Sequence, residues 1–255
     1  MSPRARRPLD GRAVVVTRPA DRAAHLVREL ERRGAAAIVA PAIVLRPART
    51  AALTRALHEL ADDRFEWIVL TSPATVRMLA ERLASPRDVR ARVAAIGDGT
   101  AEAFRRYARR DPDLVPGAFT TTALARAFRR GEGRVLCARA DIAPEGLEDA
   151  LTAKGYEPVR VVAYRTTFPR RLPAAARTAL AAGEVDAITF TSASTVRGFV
   201  GTGPTIAGTP AIVCIGPVTA REARGHGLRV SAVADPHTTA GLVAAVERAL
   251  VRSPR

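Results

Sequence analysis

The pattern T-S-x-x-T-V-R occurs twice, in IVLTSPATVR from Ile68 to Arg77 and in ITFTSASTVR from Ile188 to Arg197, and this recurrence most limits the folds open to the chain. It is not isolated. IGDGTAEAFR (Ile96 to Arg105) is echoed by IGPVTAREAR (Ile215 to Arg224), an offset of 119 against 120 for the first pair. LVPGAFTTTALARAF, from Leu114, is echoed by VSAVADPHTTAGLVAAV, from Val230, and GRAVVVTRPAD, from Gly11, resembles GRVLCARADIA, from Gly133, with one gap. Four segments repeating in step mark a duplicated unit.

The unit is of the α/β kind. Apolar runs of strand length alternate with amphipathic stretches of helix length, the pattern of helices wound onto parallel sheets. The strands read from the sequence are Ala13 to Thr17, Ala36 to Ala40, Trp67 to Thr71, Val93 to Ile96, Leu114 to Val115, Arg134 to Ala138, Val159 to Tyr164, Ala187 to Thr191, Ala211 to Ile215 and Val230 to Val233. The helix after the first strand places Ala23, Leu26, Val27 and Leu30 on one face and ends at Gly34 as a C′ residue. Val76, Leu79, Ala80 and Leu83 form a similar face after the first copy of the motif.

Chain length allows one large domain or two smaller ones. The order of the repeated pieces favours two, because the segment at Gly133 follows its companions in the middle of the chain whereas its counterpart at Gly11 precedes them all. A middle domain over 48–158 then leaves 1–41 to complete a sheet with 168–255. The passages 42–47 and 159–167 become linker strands, for which antiparallel pairing and hinge motion are expected.

Composition narrows the function. A hydrophobic fraction of 47% with 25% charged residues is that of a globular protein, and no apolar run is long enough to span a bilayer. The basic start is not followed by the apolar core of a secretory signal, so a cytoplasmic protein is expected. The net charge of +15 comes from Arg dispersed over helices, with Lys154 the only lysine and aromatics at 4%, a distribution unlike a nucleic-acid-binding face. Attraction for an anionic small molecule fits it better. Cys137 and Cys214 sit in apolar runs and read as buried thiols; His25, His58, His226 and His237 are scattered, without metal-ligand spacing. IGDGT lacks the third glycine of a dinucleotide fingerprint, and neither a P-loop nor a nucleophile elbow is present.

Each repeated motif falls where a strand turns into a helix, at the end of the sheet where ligands of α/β proteins bind. Ser72 and Ser192 are good N-caps and Pro73 suits a first helical position. Together with Thr71 and Thr191 they either cap helices only or present hydroxyls and free amides to an anion. Gly97 and Gly216 permit close approach, with Thr100 and Thr219 one turn on.

VVVTRPA, the pair TSPATV and TSASTV, VVAYRT (Val161 to Thr166), IGPVTA and the late TTAGLVAAV together resemble uroporphyrinogen-III synthases, over nearly the whole chain. The resemblance implies two similar doubly wound parallel-sheet domains joined by a two-stranded β-ladder, with substrate in the cleft between them. It implies a cyclising hydro-lyase of tetrapyrrole biosynthesis that closes hydroxymethylbilane to uroporphyrinogen III, inverting ring D, as a monomer with neither metal nor organic cofactor. It also implies Tyr164 as the group assisting departure of the hydroxyl. Arg18, Arg139, Thr71, Ser72, Thr100, Thr191, Ser192, Gly216 and Thr219 are implied as substrate-binding positions. Asp98 departs from the pattern, an anion beside a site for carboxylates, and is expected to point away. The alternative from another class is a non-catalytic two-lobed module that binds an anionic small molecule.

Overall fold

The computed structural model describes residues 7–251, with the side chain of Val251 left aside; the first six and last four residues lie outside it. The chain forms two compact units, Met1–Val44 with Thr167–Arg255, and Leu45–Thr166.

In chain order the first unit opens with β1 (Ala13–Val16), α1 (Ala20–Arg32) and β2 (Ala36–Val39). The second follows with β3 (Val44–Pro47), α2 (Ala51–Ala61), β4 (Trp67–Leu70), α3 (Pro73–Arg82), β5 (Arg92–Ala95), α4 (Asp98–Ala108), α5 (Thr121–Ala127), β6 (Arg134–Ala140), α6 (Leu147–Thr152) and β7 (Glu157–Thr167). The first unit then resumes with α7 (Ala174–Ala181), β8 (Ala187–Phe190), α8 (Ala193–Gly201), β9 (Ala211–Cys214), α9 (Pro217–Gly225), β10 (Val230–Val233) and α10 (Thr239–Val251).

The first sheet runs β10-β9-β8-β1-β2, parallel throughout, and the second runs β3-β7-β6-β4-β5. Laid against each other by their repeats, β8 matches β4, β9 matches β5, β1 matches β6 and β2 matches β7. The expected strand Leu114 to Val115, counterpart of β10, is reduced to a single parallel bridge between Leu114 and Ala94. Pro116 follows at once and has no N–H to donate to the ladder, and Gly117 after it weakens a strand. Within the passages 42–47 and 159–167 lie β3 and most of β7, which form one edge of the second sheet. Thr167 donates its hydroxyl to the Val44 carbonyl at 3.3 Å and Ala48 donates its N–H to Ala163 at 3.1 Å, so the two run antiparallel.

Each sheet is covered on both faces, which explains why β4, β8 and β9 are apolar at nearly every position and buried throughout. In β4, Ile68 and Leu70 enter the core under α2 and α3, whereas Trp67 and Val69 enter the core under α5 and α6. In β1, Val14 and Val16 face α1 and α10 while Val15 faces α7 and α8. Burying each such side chain contributes about 1.5–3 kcal/mol. Helix α3 turns in slightly differently from its apolar pattern: Val76 and Leu79 are buried, but Met78 and Thr75 join them and Ala80 is exposed. Helix α1 stops where expected. Gly34 has φ +97°, and a Cβ there would lie 2.1 Å from Asp10 Oδ1 and 2.9 Å from the Asp10 backbone nitrogen.

Candidate active site

The two copies of T-S-x-x-T-V-R occupy equivalent places, at the carboxyl ends of β4 and β8, and both serines are extended N-cap residues. Ser72 (φ −165°, ψ 157°) accepts from Thr75 N at 3.3 Å, and Ser192 (φ −166°, ψ 160°) accepts from Thr195 N at 3.2 Å. Beyond the cap the copies differ. Thr75 is fully buried and donates its hydroxyl across the sheet to the Ala138 carbonyl at 3.3 Å, pinning the start of α3 to β6. Thr195 closes on its own turn, donating to Ser192 O at 2.7 Å while its oxygen faces Ser192 N at 3.2 Å. Ser192 Oγ meets Ser194 Oγ at 2.9 Å. At the position of Ser194 the other copy has Ala74, and Ser72 Oγ instead meets the Tyr164 hydroxyl at 2.9 Å.

Tyr164 arrives there from β7, two strands away from β4, a span of roughly 10 Å at ordinary strand spacing. The register explains how. β6 and β7 pair one to one as far as Arg139 with Val162, then shift so that Ala140 faces Tyr164. A bulge of this kind adds a residue and turns the strand, and here it carries the phenol past the end of β6 towards the α3 cap. Tyr164 is half-buried. Its neighbourhood is held from below, since Asp141 Oδ1 accepts the Thr166 N–H at 2.9 Å.

The next turn of each sheet begins α4 or α9. Gly97 (φ 174°) and Gly216 (φ −169°) are extended, a conformation open to any residue, so the need for glycine is spatial. A Cβ on Gly97 would stand 2.6 Å from the Phe119 ring, whereas one on Gly216 would stand 3.6 Å from the His237 ring. At Gly97 the room is therefore taken by Phe119, not by space left for a ligand. Thr100 and Thr219 are buried, at 3% and 4% exposure, one turn inside their helices. Thr71 and Thr191 are half-exposed at the strand ends, and Asp98 is exposed on the first turn of α4.

The two arginines part company. Val15 pairs with Ile188 and Leu136 pairs with Ile68, so Arg18 and Arg139, each three residues further along, are equivalent positions. Arg18 is half-buried between β1 and α1 and donates to Thr239 Oγ1 at 3.4 Å, at the start of α10. Burial, and after it the like charge of Arg22, hold its pKa below the ordinary value. Arg139 instead is 1% exposed, and its Nη1 donates to both oxygens of Glu148 at 2.9 and 2.8 Å. Arg139, expected at a substrate carboxylate, thus bonds Glu148 inside the second unit, under α6, through Nη1 alone, and its buried Nε and Nη2 have no hydrogen-bond partner among the described residues.

Burial, aided by the charge of Glu148, pushes the Cys137 thiol up to about 12, and burial pushes Cys214 up to about 12. Among the described residues no three His, Cys, Asp or Glu side chains cluster as a metal site, and no helix is long and apolar enough to cross a membrane. A groove of about 250 Å³ between α5 and α6, lined by Thr121, Arg126, Glu145 and Lys154 among others, opens on the side of the second sheet away from α3. Sequence reasoning missed Thr75, Ser194, Thr195 and Glu148. The second threonine of the repeated motif was the available signal for two of them.

The chain is similar in sequence and in fold to known proteins. The family model described as uroporphyrinogen-III synthase HemD matches residues 24–244. A uroporphyrinogen-III synthase of Synechococcus elongatus is 30% identical over 264 aligned positions, covering 96% of this chain and 97% of that one. A putative uroporphyrinogen-III synthase of Methanothermobacter thermautotrophicus is 30% identical over 257 positions, covering 91% and 96%. In fold, the chain resembles a mutant uroporphyrinogen III synthase of Thermus thermophilus with a TM-score of 0.67 at 22% identity, covering 95% of this chain and all of that one. It likewise resembles uroporphyrinogen-III synthetase of Helicobacter pylori, with a TM-score of 0.60 at 18% identity, covering 95% of this chain and all of that one.

Proposed function

This chain belongs to the uroporphyrinogen-III synthase family, and on that premise we propose that it is the enzyme that cyclises hydroxymethylbilane to uroporphyrinogen III, losing water and inverting ring D. The observation that carries the chemical part of this reading is the Tyr164 hydroxyl at the N-terminus of α3, 2.9 Å from Ser72 Oγ. The reaction begins with loss of a hydroxyl group, a poor leaving group unless it is protonated as it departs. A phenol is a weak acid with an ordinary pKa of about 10, so it is protonated and able to donate at neutral pH. Tyr164 is the residue we assign to that donation.

The substrate is a polycarboxylate, and each unit supplies what carboxylates require. Arg18 is a cation whose described bond goes to the neutral hydroxyl of Thr239, and carboxylate is the natural partner for a guanidinium so placed. The N-termini of α3, α4, α8 and α9 add free amides and the positive ends of helix dipoles, beside Thr71, Thr191, Ser192 and Gly216. Thr100 and Thr219, being buried, act through the shape of their turns. Because the reactive cation closes head to tail when left in water, catalysis of the type III product rests chiefly on holding the chain of pyrroles in one conformation. No step in this scheme uses a cofactor.

The test is to supply hydroxymethylbilane to the purified protein and separate the product isomers. The type III isomer should dominate. Formation of the spontaneous type I isomer alone would remove the assignment.

A further inference from the structure

We propose that Ser72 is a positioning residue that polarises the Tyr164 phenol, so that one copy of the duplicated motif has been turned to proton transfer and the other has not; this rests on the reading of Tyr164 given above. Four observations carry it. Ser72 Oγ lies 2.9 Å from Tyr164 Oη and 3.4 Å from Thr75 Oγ1, and it accepts the Thr75 N–H at 3.3 Å. Thr75 Oγ1 donates to the Ala138 carbonyl at 3.3 Å, which leaves that oxygen able to accept. The β6/β7 register shift falls at the residue that aims the phenol. In the matched copy the same serine oxygen is engaged by Ser194 at 2.9 Å, a hydroxyl that Ala74 does not provide in the first copy.

A serine hydroxyl has one proton, and at Ser72 it has two destinations. In one arrangement Tyr164 donates to Ser72, which donates on to Thr75, and the phenol proton is held away from any substrate. In the other, Ser72 donates to Tyr164 Oη and the phenol proton is released outwards. Rotation about C–O bonds interconverts them without moving a heavy atom. Only the second suits catalysis. The Tyr164 proton passes to the oxygen of the hydroxymethyl group, the C–O bond breaks with its electron pair on that oxygen, and water leaves. A carbocation conjugated with the pyrrole and a tyrosinate remain. The Ser72 O–H bond stays intact and its proton points at the new negative charge, reinforced by the Thr75 N–H behind it and by the positive end of α3. The tyrosinate recovers its proton when the ring closes and a pyrrole carbon gives one up.

The test is steady-state kinetics of Ser72→Ala and Ser72→Gly, the second keeping most of the cap's stability, alone and with Tyr164→Phe, with far-ultraviolet circular dichroism as the folding control. We expect kcat to fall about tenfold or more, the rate equivalent of one hydrogen bond to a charged oxygen, with KM changed less than about twofold. Ser72→Thr, which keeps the hydroxyl, should recover most of the rate. In the Tyr164→Phe background, removing the Ser72 hydroxyl should have no further effect. The proposal is overturned if KM rises while kcat holds, which would make Ser72 a substrate contact, or if the two substitutions multiply. A wild-type protein yielding only the type I isomer would instead bring down the synthase reading, and this proposal with it.

Discussion

Arg18 and Arg139 show how one position in a duplicated unit can acquire two opposite physical roles. Arg139 gave up water for a bonded carboxylate, and removing that carboxylate would strand a cation in the interior. Glu148→Ala should therefore lower stability by about 3–5 kcal/mol, the usual effect of breaking a buried pair, read as a shift of the urea midpoint at unchanged slope. Arg18→Ala should leave that midpoint nearly unmoved and raise KM for hydroxymethylbilane about tenfold, the worth of one charge-assisted hydrogen bond; an unchanged KM would take Arg18 out of the site. The thiols offer a third measurement at this scale. With both pushed up to about 12 by burial, Cys137 and Cys214 stay protonated throughout the neutral range. Alkylation followed by mass spectrometry should find them unmodified in the native protein and modified on unfolding.

At the scale of elements, the serine caps and the glycine stop are where local sequence commands local structure. Ser192→Ala removes the side-chain acceptor that caps α8 and should destabilise by about 1 kcal/mol, with Ser192→Gly only a few tenths. Gly34→Ala combines a left-handed backbone with a clash against Asp10, so the loss should exceed the roughly 1 kcal/mol typical of a glycine held at positive φ. Both are checked by thermal or urea unfolding. Caps, stops and the apolar runs β4, β8 and β9 were all readable beforehand, because each is decided by residues within a few positions of one another. Leu114 to Val115 misled for the complementary reason: two apolar residues satisfy a strand pattern, but a strand exists only if a neighbour has room to pair with it. The extra length of β7, and the shift that aims Tyr164, are likewise properties of a pair of strands.

For the whole molecule, the split of the chain makes a direct prediction. Leu45–Thr166 is a continuous unit with two faces of core around its own sheet, and it should fold alone with a cooperative unfolding transition. The other unit is discontinuous, but Thr167 bonds Val44 directly, so a short glycine-serine loop in place of 45–166 should let it fold as well. Circular dichroism melts of the two pieces decide the matter; a broad, non-cooperative melt from either would count against its independence. The formal charge of +15 also acts at this scale. Between low salt and about 1 M, where the screening length shrinks to about 3 Å, kcat/KM for the anionic substrate should fall several-fold.

What the sequence determined by itself was the duplication, the permuted order of its pieces, the α/β class, and the set of turns at which hydroxyls and helix N-termini meet. These follow from periodicity and from spacing, both of which are written along the chain. Tertiary structure alone decided that Arg139 is buried against Glu148 while Arg18 is not, that Ser72 faces Tyr164 while Ser192 faces Ser194, and that a bulge in the β6/β7 pairing brings the phenol there. Most of the partners in those choices lie on different strands or helices. Which hydroxyl or carboxylate a side chain meets is set by packing between elements, a distance in space that no local pattern encodes.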